Sequence, residues 1–329
     1  GGAAAGAAGR GGGAHRRGRL GGPRMTPGLG LGAPRWAVEG RGWPNADASR
    51  FPRAAGLRWH VQVMGPEEAP AVVLLHGLGG ATHSWADVAP RLARRFRVIV
   101  PDLPGHGFTE RPGSAAALSP VRQAEALGAL FAALGARPAV AAGHSAGAPL
   151  AARLALDGVA PLTAVVSFNG AWLPFPGLMG QVFPGLARAL SMNPFVPGFF
   201  SLGASLDPRS TERLIAGTGS KLRPERLDAY ARLFRRPGHV AAALAMMSVW
   251  DLAAILADLP RLEAELTLVA AAADRAVPPE TARTVADRAP YARVEDWGGL
   301  GHLAHEEAPG RAAALVVEAA RRAGVLAPA

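Results

Sequence analysis

Apolar residues run without a break through "AVVLLHG" (71–77), "FRVIVPD" (96–102), "PAVAAGH" (138–144), "TAVVSFNG" (163–170) and "LTLVAAAAD" (266–274). Strands buried on both faces have this composition, and they occur in parallel sheets covered by helices. "LRWHVQVMG" (57–65) alternates and predicts a strand with one face buried; "ARVEDWG" (292–298) predicts a last strand. Helical periodicity lies between these runs. Trp85, Val88, Leu92 and Phe96 share one face behind Ser84, a candidate N-cap. Ser119-Pro120 opens a second helix, with Val121, Leu127, Leu130, Phe131 and Leu134 on its buried side and Gly135 at its end. Further helices are expected over 146–157, 278–288 and 306–323. The alternation predicts an α/β fold with a mostly parallel, doubly wound sheet.

The rhythm fails between 171 and 262, where prolines and apolar helical patterns appear without a convincing strand. That length exceeds a plain connection. It predicts a helical cap (171–262) inserted into a core formed by 36–170 and 263–329. Residues 1–35 are Gly/Ala/Arg-rich and read as a disordered tail, with Met25 as an alternative translation start.

Composition narrows the chemistry. The chain has no cysteine, which excludes disulfides, thiolate metal sites and a thiol nucleophile. Five of its +10 net charges are arginines in the first 24 residues, and the remainder is scattered, so no nucleic-acid partner is expected. No run is long and apolar enough for a transmembrane helix.

The candidate chemistry begins at Gly143-His144-Ser145-Ala146-Gly147, which follows a predicted strand and precedes a predicted helix. That is the context of a nucleophile elbow, with serine on a strained turn and glycines where side chains would collide. His76-Gly77-Leu78-Gly79-Gly80 ends another strand; the backbone N–H groups of Leu78 and Ala146 are the candidate oxyanion hole. Asp274 closes the strand "LVAAAAD", where a carboxylate can orient a histidine; a turn or helix-capping aspartate is the plainer alternative. His302, in "GGLGHLAHEEAP", is the candidate base, and His305 is its structural competitor. The order Ser145, Asp274, His302 fits an acyl-transfer triad on an α/β-hydrolase. Asp102 and His106, in "PDLPGHGFTE", read as loop-shaping residues.

With these elements in register, residues 40–320 resemble the α/β-hydrolases. "GWPNADASRF", "LRWHVQVMG", "ATHSWADVAPRL", "PDLPGHGFT" and "FNGAWLPFPGL" resemble, more narrowly, the magnesium-chelatase accessory (BchO) family of bacteriochlorophyll biosynthesis. The resemblance implies a role beside insertion of Mg²⁺ into protoporphyrin IX, with magnesium chelatase as a partner. It implies a cytoplasmic location, peripheral to photosynthetic membranes, and no cofactor or resident metal. The expected activity is a serine hydrolase acting on an ester or similar acyl bond of a hydrophobic substrate. The alternatives are a non-catalytic porphyrin-binding or chelatase-assisting module, and a C–C hydrolase or acyltransferase using the same triad. The expected substrate pocket is His76, Gly77, His144, Trp172, Phe175, Met247 and Trp250. Phe183, Phe195, Phe199, Phe200 and Met246 are expected to line or support it. The segment 183–203 is a candidate for contact with a membrane surface.

Overall fold

The structure is a computed structural model that describes residue 1, residues 32–173, 189–190 and 193–328. Phe175 and Phe183 lie outside the described residues. Among the described residues the main sheet has eight strands in the order β1-β4-β6-β5-β7-β8-β9-β10. They are β1 (Ser49–Arg50), β4 (Val61–Met64), β5 (Ala71–Leu75), β6 (Arg97–Pro101), β7 (Pro138–His144), β8 (Ala164–Phe168), β9 (Glu265–Ala271) and β10 (Ala292–Trp297). The six from β6 to β10 run parallel, and β4 and β1 add an antiparallel edge. This is the mostly parallel α/β sheet that the apolar runs predict.

Side chains alternate between the two faces of the sheet, so each apolar run feeds two cores. Val73, Leu75, Ile99, Ala141 and Val165 pack under α3 (Pro120–Ala133), α4 (Gly147–Leu156) and α10 (Glu280–Ala286). Val72, Leu74, Val98, Val100 and Val166 pack under α2 (Ala89–Leu92) and α12 (Pro309–Arg322). Each fully buried Val or Leu contributes about 1.5–3 kcal/mol, so the central strands anchor the sheet.

Four local expectations change. The strand expected over 57–65 is broken. Leu57–Arg58 (β3) pairs with Arg53–Ala54 (β2) across a tight hairpin, and only Val61–Met64 joins the main sheet. Ala55 and Gly56 both have positive φ (49° and 74°), the signature of the turn that twists β2 and β3 away. Ser84 caps nothing; it lies within the 3₁₀ turn Thr82–Trp85, and α2 begins only at Ala89 with Pro90 in its first turn. Val121 is 44 % exposed, and Gln123 takes the buried position on α3. The final helix divides into α11 (Ala304–Glu307) and α12, with Pro309 opening the second.

Between β8 and β9 the described residues form five α-helices. They are α5 (Val196–Leu206), α6 (Ser210–Gly217), α7 (Pro224–Phe234), α8 (Pro237–Ser248) and α9 (Ala253–Asp258). α1 (Trp36–Glu39) precedes the sheet. No single helix among the described residues is long and apolar enough to cross a membrane.

Candidate active site

The C-terminal ends of the parallel strands carry the polar residues. Ser145 follows β7 directly with φ of +50°, a conformation rare for a non-glycine residue. The surrounding backbone holds it there: Ser145 N–H donates to the Phe168 carbonyl, and Ala171 N–H donates to the Ser145 carbonyl. Both flanking glycines are required by contact. A Cβ on Gly143 would sit 2.2 Å from the Gly147 carbonyl oxygen, and one on Gly147 would sit 2.4 Å from that of Leu75. Gly77 presses against the same turn, since its Cβ would lie 2.9 Å from the Cβ of Ser145.

His302 and Asp274 come together. His302 Nδ1–H donates to Asp274 Oδ2 at 2.9 Å, which leaves Nε2 as the basic atom. The same oxygen accepts Asn169 Nδ2–H at 2.8 Å, and Oδ1 accepts the N–H groups of Ala276 and Val277. His302 also abuts the elbow. Its carbonyl accepts His144 Nε2–H at 3.0 Å, and the two rings lie 4.8 Å apart. No hydrogen bond joins the Ser145 hydroxyl to His302 Nε2 in this structure; such contacts are often loose before substrate is bound.

The turn 76–80 is held by two buried imidazoles. His76 Nδ1–H donates to the Gly77 carbonyl, while its Nε2 accepts Leu103 N–H. His239, on α8, accepts Gly107 N–H at Nδ1 and donates Nε2–H to the Gly79 carbonyl at 3.0 Å. These bonds occupy the Gly77 and Gly79 carbonyls. Among the described residues nothing accepts the N–H of Leu78 or of Ala146, the residue preceding α4. Burial holds His239 down to about 4, lowers His76, and pushes His144 well below the ordinary histidine value, so all three are neutral at pH 7.

A second loop contributes from the helical segment. The Thr218 carbonyl accepts the N–H groups of Arg275 and His302, and Ser220 Oγ accepts Leu303 N–H. Gly219 and Gly301 pack backbone to backbone: a Cβ on Gly301 would lie 2.3 Å from the Gly219 carbonyl carbon. This turn therefore clamps the loops that bear Asp274 and His302. Asp102 is a loop organiser, accepting the N–H groups of Thr82 and Phe108 while facing His60 Nδ1 at 2.6 Å. Burial alone would raise its carboxyl, but His60 and these donors hold it down to about 2. His106 is wholly buried in the same loop, and His305 is buried against Trp85.

The expected pocket is redrawn. His76, His144 and Trp172 are 0 %, 4 % and 1 % exposed, so they support the site instead of lining it; Trp172 Nε1–H is bound to Ser167 Oγ. Met246 is core, while Met247 and Trp250 are half-buried. Phe195, Phe199 and Phe200 are exposed, and Phe199 and Phe200 border a shallow groove of about 290 Å³ with Leu214 and Phe234. A cleft of about 1110 Å³ lies at the N-terminal ends of β7, β8 and β9, among Arg137, Pro138, Glu263 and Ala264, at the opposite end of these strands from this chemistry. Sequence reasoning missed Asn169, Thr218, Ser220 and His239. The "NG" after "TAVVSF" marks a turn, but not its tie to Asp274.

Residues 70–309 match the family model of the alpha/beta hydrolase fold. The chain belongs to the α/β-hydrolase family. Within that family it is 37 % identical over 278 residues to the magnesium-chelatase 30 kDa subunit of Rhodobacter capsulatus, covering 84 % of this chain and 95 % of that one. The hydrolase-fold chain is also 28 % identical to a 2-hydroxymuconate semialdehyde hydrolase of Pseudomonas sp. (strain CF600), over 80 % of this chain and 90 % of that one. Among solved structures it superposes on the enol-lactonase of Burkholderia xenovorans LB400 with a TM-score of 0.67. The identity there is 20 %, and the match covers 82 % and 99 % of the two chains. That last likeness concerns the fold alone.

Proposed function

We propose that this chain is a serine hydrolase acting on an ester, or a similar acyl bond, of a hydrophobic small molecule. Its setting is the magnesium-chelatase step of bacteriochlorophyll biosynthesis, in the cytoplasm, with magnesium chelatase as partner. The reading is carried by one arrangement: the Asn169–Asp274–His302 relay abuts a strained serine, and the N–H groups of Leu78 and Ala146 find no acceptor among the described residues. Ser145 Oγ attacks the acyl carbon while His302 Nε2 takes its proton. Asp274 stabilises the imidazolium, and the N–H groups of Leu78 and Ala146 receive the oxyanion. His302 returns the proton to the leaving group, and water then releases the acyl group by the same route. The described helices α5 to α9, between β8 and β9, act as the cap over the site.

A second reading has a specific motive. The likeness to a magnesium-chelatase subunit spans most of both chains and names no reaction, so the fold can instead serve as a porphyrin-binding, chelatase-assisting module. A fluorophosphonate probe separates the two. The hydrolase reading expects covalent labelling of the parent chain and none of Ser145→Ala. A parent that stays unlabelled, or a Ser145→Ala gene that fully restores pigment synthesis in a deletion strain, favours the binding module.

A further inference from the structure

Helix α5 (Val196–Leu206) is built inside out. Its sequence, VPGFFSLGASL, contains no charged residue. The face turned inward carries small residues, with Pro197, Ser201 and Ala204 buried. The outward face carries Phe199, Leu202 and Leu206, and Phe195 at the N-cap continues the row. These four are 70 %, 74 %, 54 % and 75 % exposed in chain order. Their spacing of four, three and four residues puts them on one narrow stripe. Leu214, on the neighbouring α6, extends the patch at 46 % exposure.

Water-facing helices reverse this arrangement, placing small or charged residues outside and large apolar ones inside. An exposed contiguous apolar patch marks a surface that meets another phase or another molecule. The exposed rings and aliphatic ends form a ridge along one side of a shallow groove that Phe199, Phe200, Leu214 and Phe234 line. Such a ridge suits the yielding boundary between lipid headgroups and acyl chains. Charge selects between the remaining occupants. Five of the ten net positive charges lie in residues 1–24; the remaining net charge of +5 still makes two copies of this chain repel each other, whereas an anionic surface attracts each of them. Arg209 is exposed just beyond the ridge, and Asp207 beside it is already paired with Arg213.

We propose that α5 is an interfacial helix that seats this chain on an anionic lipid surface, with the Phe195–Phe199–Leu202–Leu206 stripe inserted at headgroup depth. This goes beyond the hydrolase reading and does not depend on it. The stripe lies at the C-terminal end of the segment that the sequence marks for membrane contact, and it extends past it to Leu206.

The absence of cysteine makes the test clean, because Phe199→Cys creates a unique labelling site in the full-length chain. With an environment-sensitive dye at that position, phosphatidylglycerol-rich vesicles are expected to shift the emission to the blue. Flotation should recover the chain with those vesicles and far less of it with pure phosphatidylcholine. The double variant Phe199→Ser/Leu206→Ser removes exposed side chains only. It is expected to bind the anionic vesicles about tenfold more weakly while unfolding at the same temperature as the parent. Flotation that the double variant leaves unchanged would overturn the assignment, as would an unshifted dye. A concentration-dependent dimer, seen by analytical ultracentrifugation and dissolved by the double variant, would overturn it in favour of a second copy of the chain. Since vesicle binding reads nothing of Ser145, its failure leaves the fluorophosphonate result untouched.

Discussion

Asp274 spends all of its hydrogen-bonding capacity on position: two backbone N–H groups on one oxygen, His302 and Asn169 on the other. Asn169 itself has a positive φ of 49°, so the strand end is bent to deliver its amide. Hydrogen bonds to a charged group are worth about 1.5–3 kcal/mol. Asn169→Ala is therefore expected to slow fluorophosphonate labelling of Ser145 by about tenfold or more without abolishing it. Asn169→Asp should be worse, because it places a second carboxylate where the amide donates. Equal labelling rates for parent and Asn169→Ala would show that Asp274 needs no such support. At this scale the sequence is legible where chemistry coincides with a local motif. Ser145 stands between two glycines at a strand end, Asp274 stands after an apolar strand, and His302 stands in a glycine-rich stretch after the last strand. Asn169 has no such local mark. Its role comes from β8 lying beside β9, a pairing of residues about a hundred positions apart.

The elements that hold the site belong to two parts of the chain. α8 sends His239 to the turn 76–80, and the turn after α6 grips the His302 loop. A glycine-rich turn is soft by itself, so an external anchor decides where its N–H groups point. His239→Phe keeps a ring of similar size but leaves the Gly79 carbonyl and the Gly107 N–H buried without partners. Each such loss costs about 1–3 kcal/mol. The expected outcome is a lower urea midpoint, together with slower labelling of Ser145, because Leu78 N–H is no longer held in place. A variant that loses stability yet labels at the parent rate would make His239 a fold residue only. The strands were readable because double-sided burial writes an unbroken apolar run. The break at Trp59–His60 was not, because the β2–β3 hairpin depends on the φ values of Ala55 and Gly56. Nor could composition assign outward faces to Phe195 and Phe199, since an aromatic residue reads alike as core or as surface until its neighbours are known.

For the whole molecule, buried ionisable groups set how stability follows pH. Six of the nine histidines are held down by burial: His83 and His305 to about 3, His239 to about 4, His76 below its ordinary value, and His106 and His144 well below it. An unfolded chain takes up protons at these residues below an ordinary value of 6.5, and the folded chain refuses them until lower pH. Their stability is thus complete above that value and is lost as pH falls toward 4. Glu306 opposes them. Burial raises its carboxyl to about 8, against the countervailing bond from Tyr230, whose hydroxyl donates at 2.6 Å. Folded Glu306 keeps a proton that the unfolded chain releases above 4.5, so its contribution declines as pH rises through 8. Each group adds a slope of about 1.4 kcal/mol per pH unit inside its own window. Below 6.5 six imidazoles outweigh one carboxyl; above it Glu306 acts without them. Urea midpoints are therefore expected to peak near pH 6.5, falling steeply toward about pH 5 and gently toward about pH 8. Glu306→Gln retains an acceptor for Tyr230 and cannot ionise, so it should flatten the alkaline limb and leave the acid limb intact. A parent midpoint that stays level from pH 6.5 to 8 would show that Glu306 ionises in the folded chain as freely as in water. The acid limb would then stand on the histidines alone.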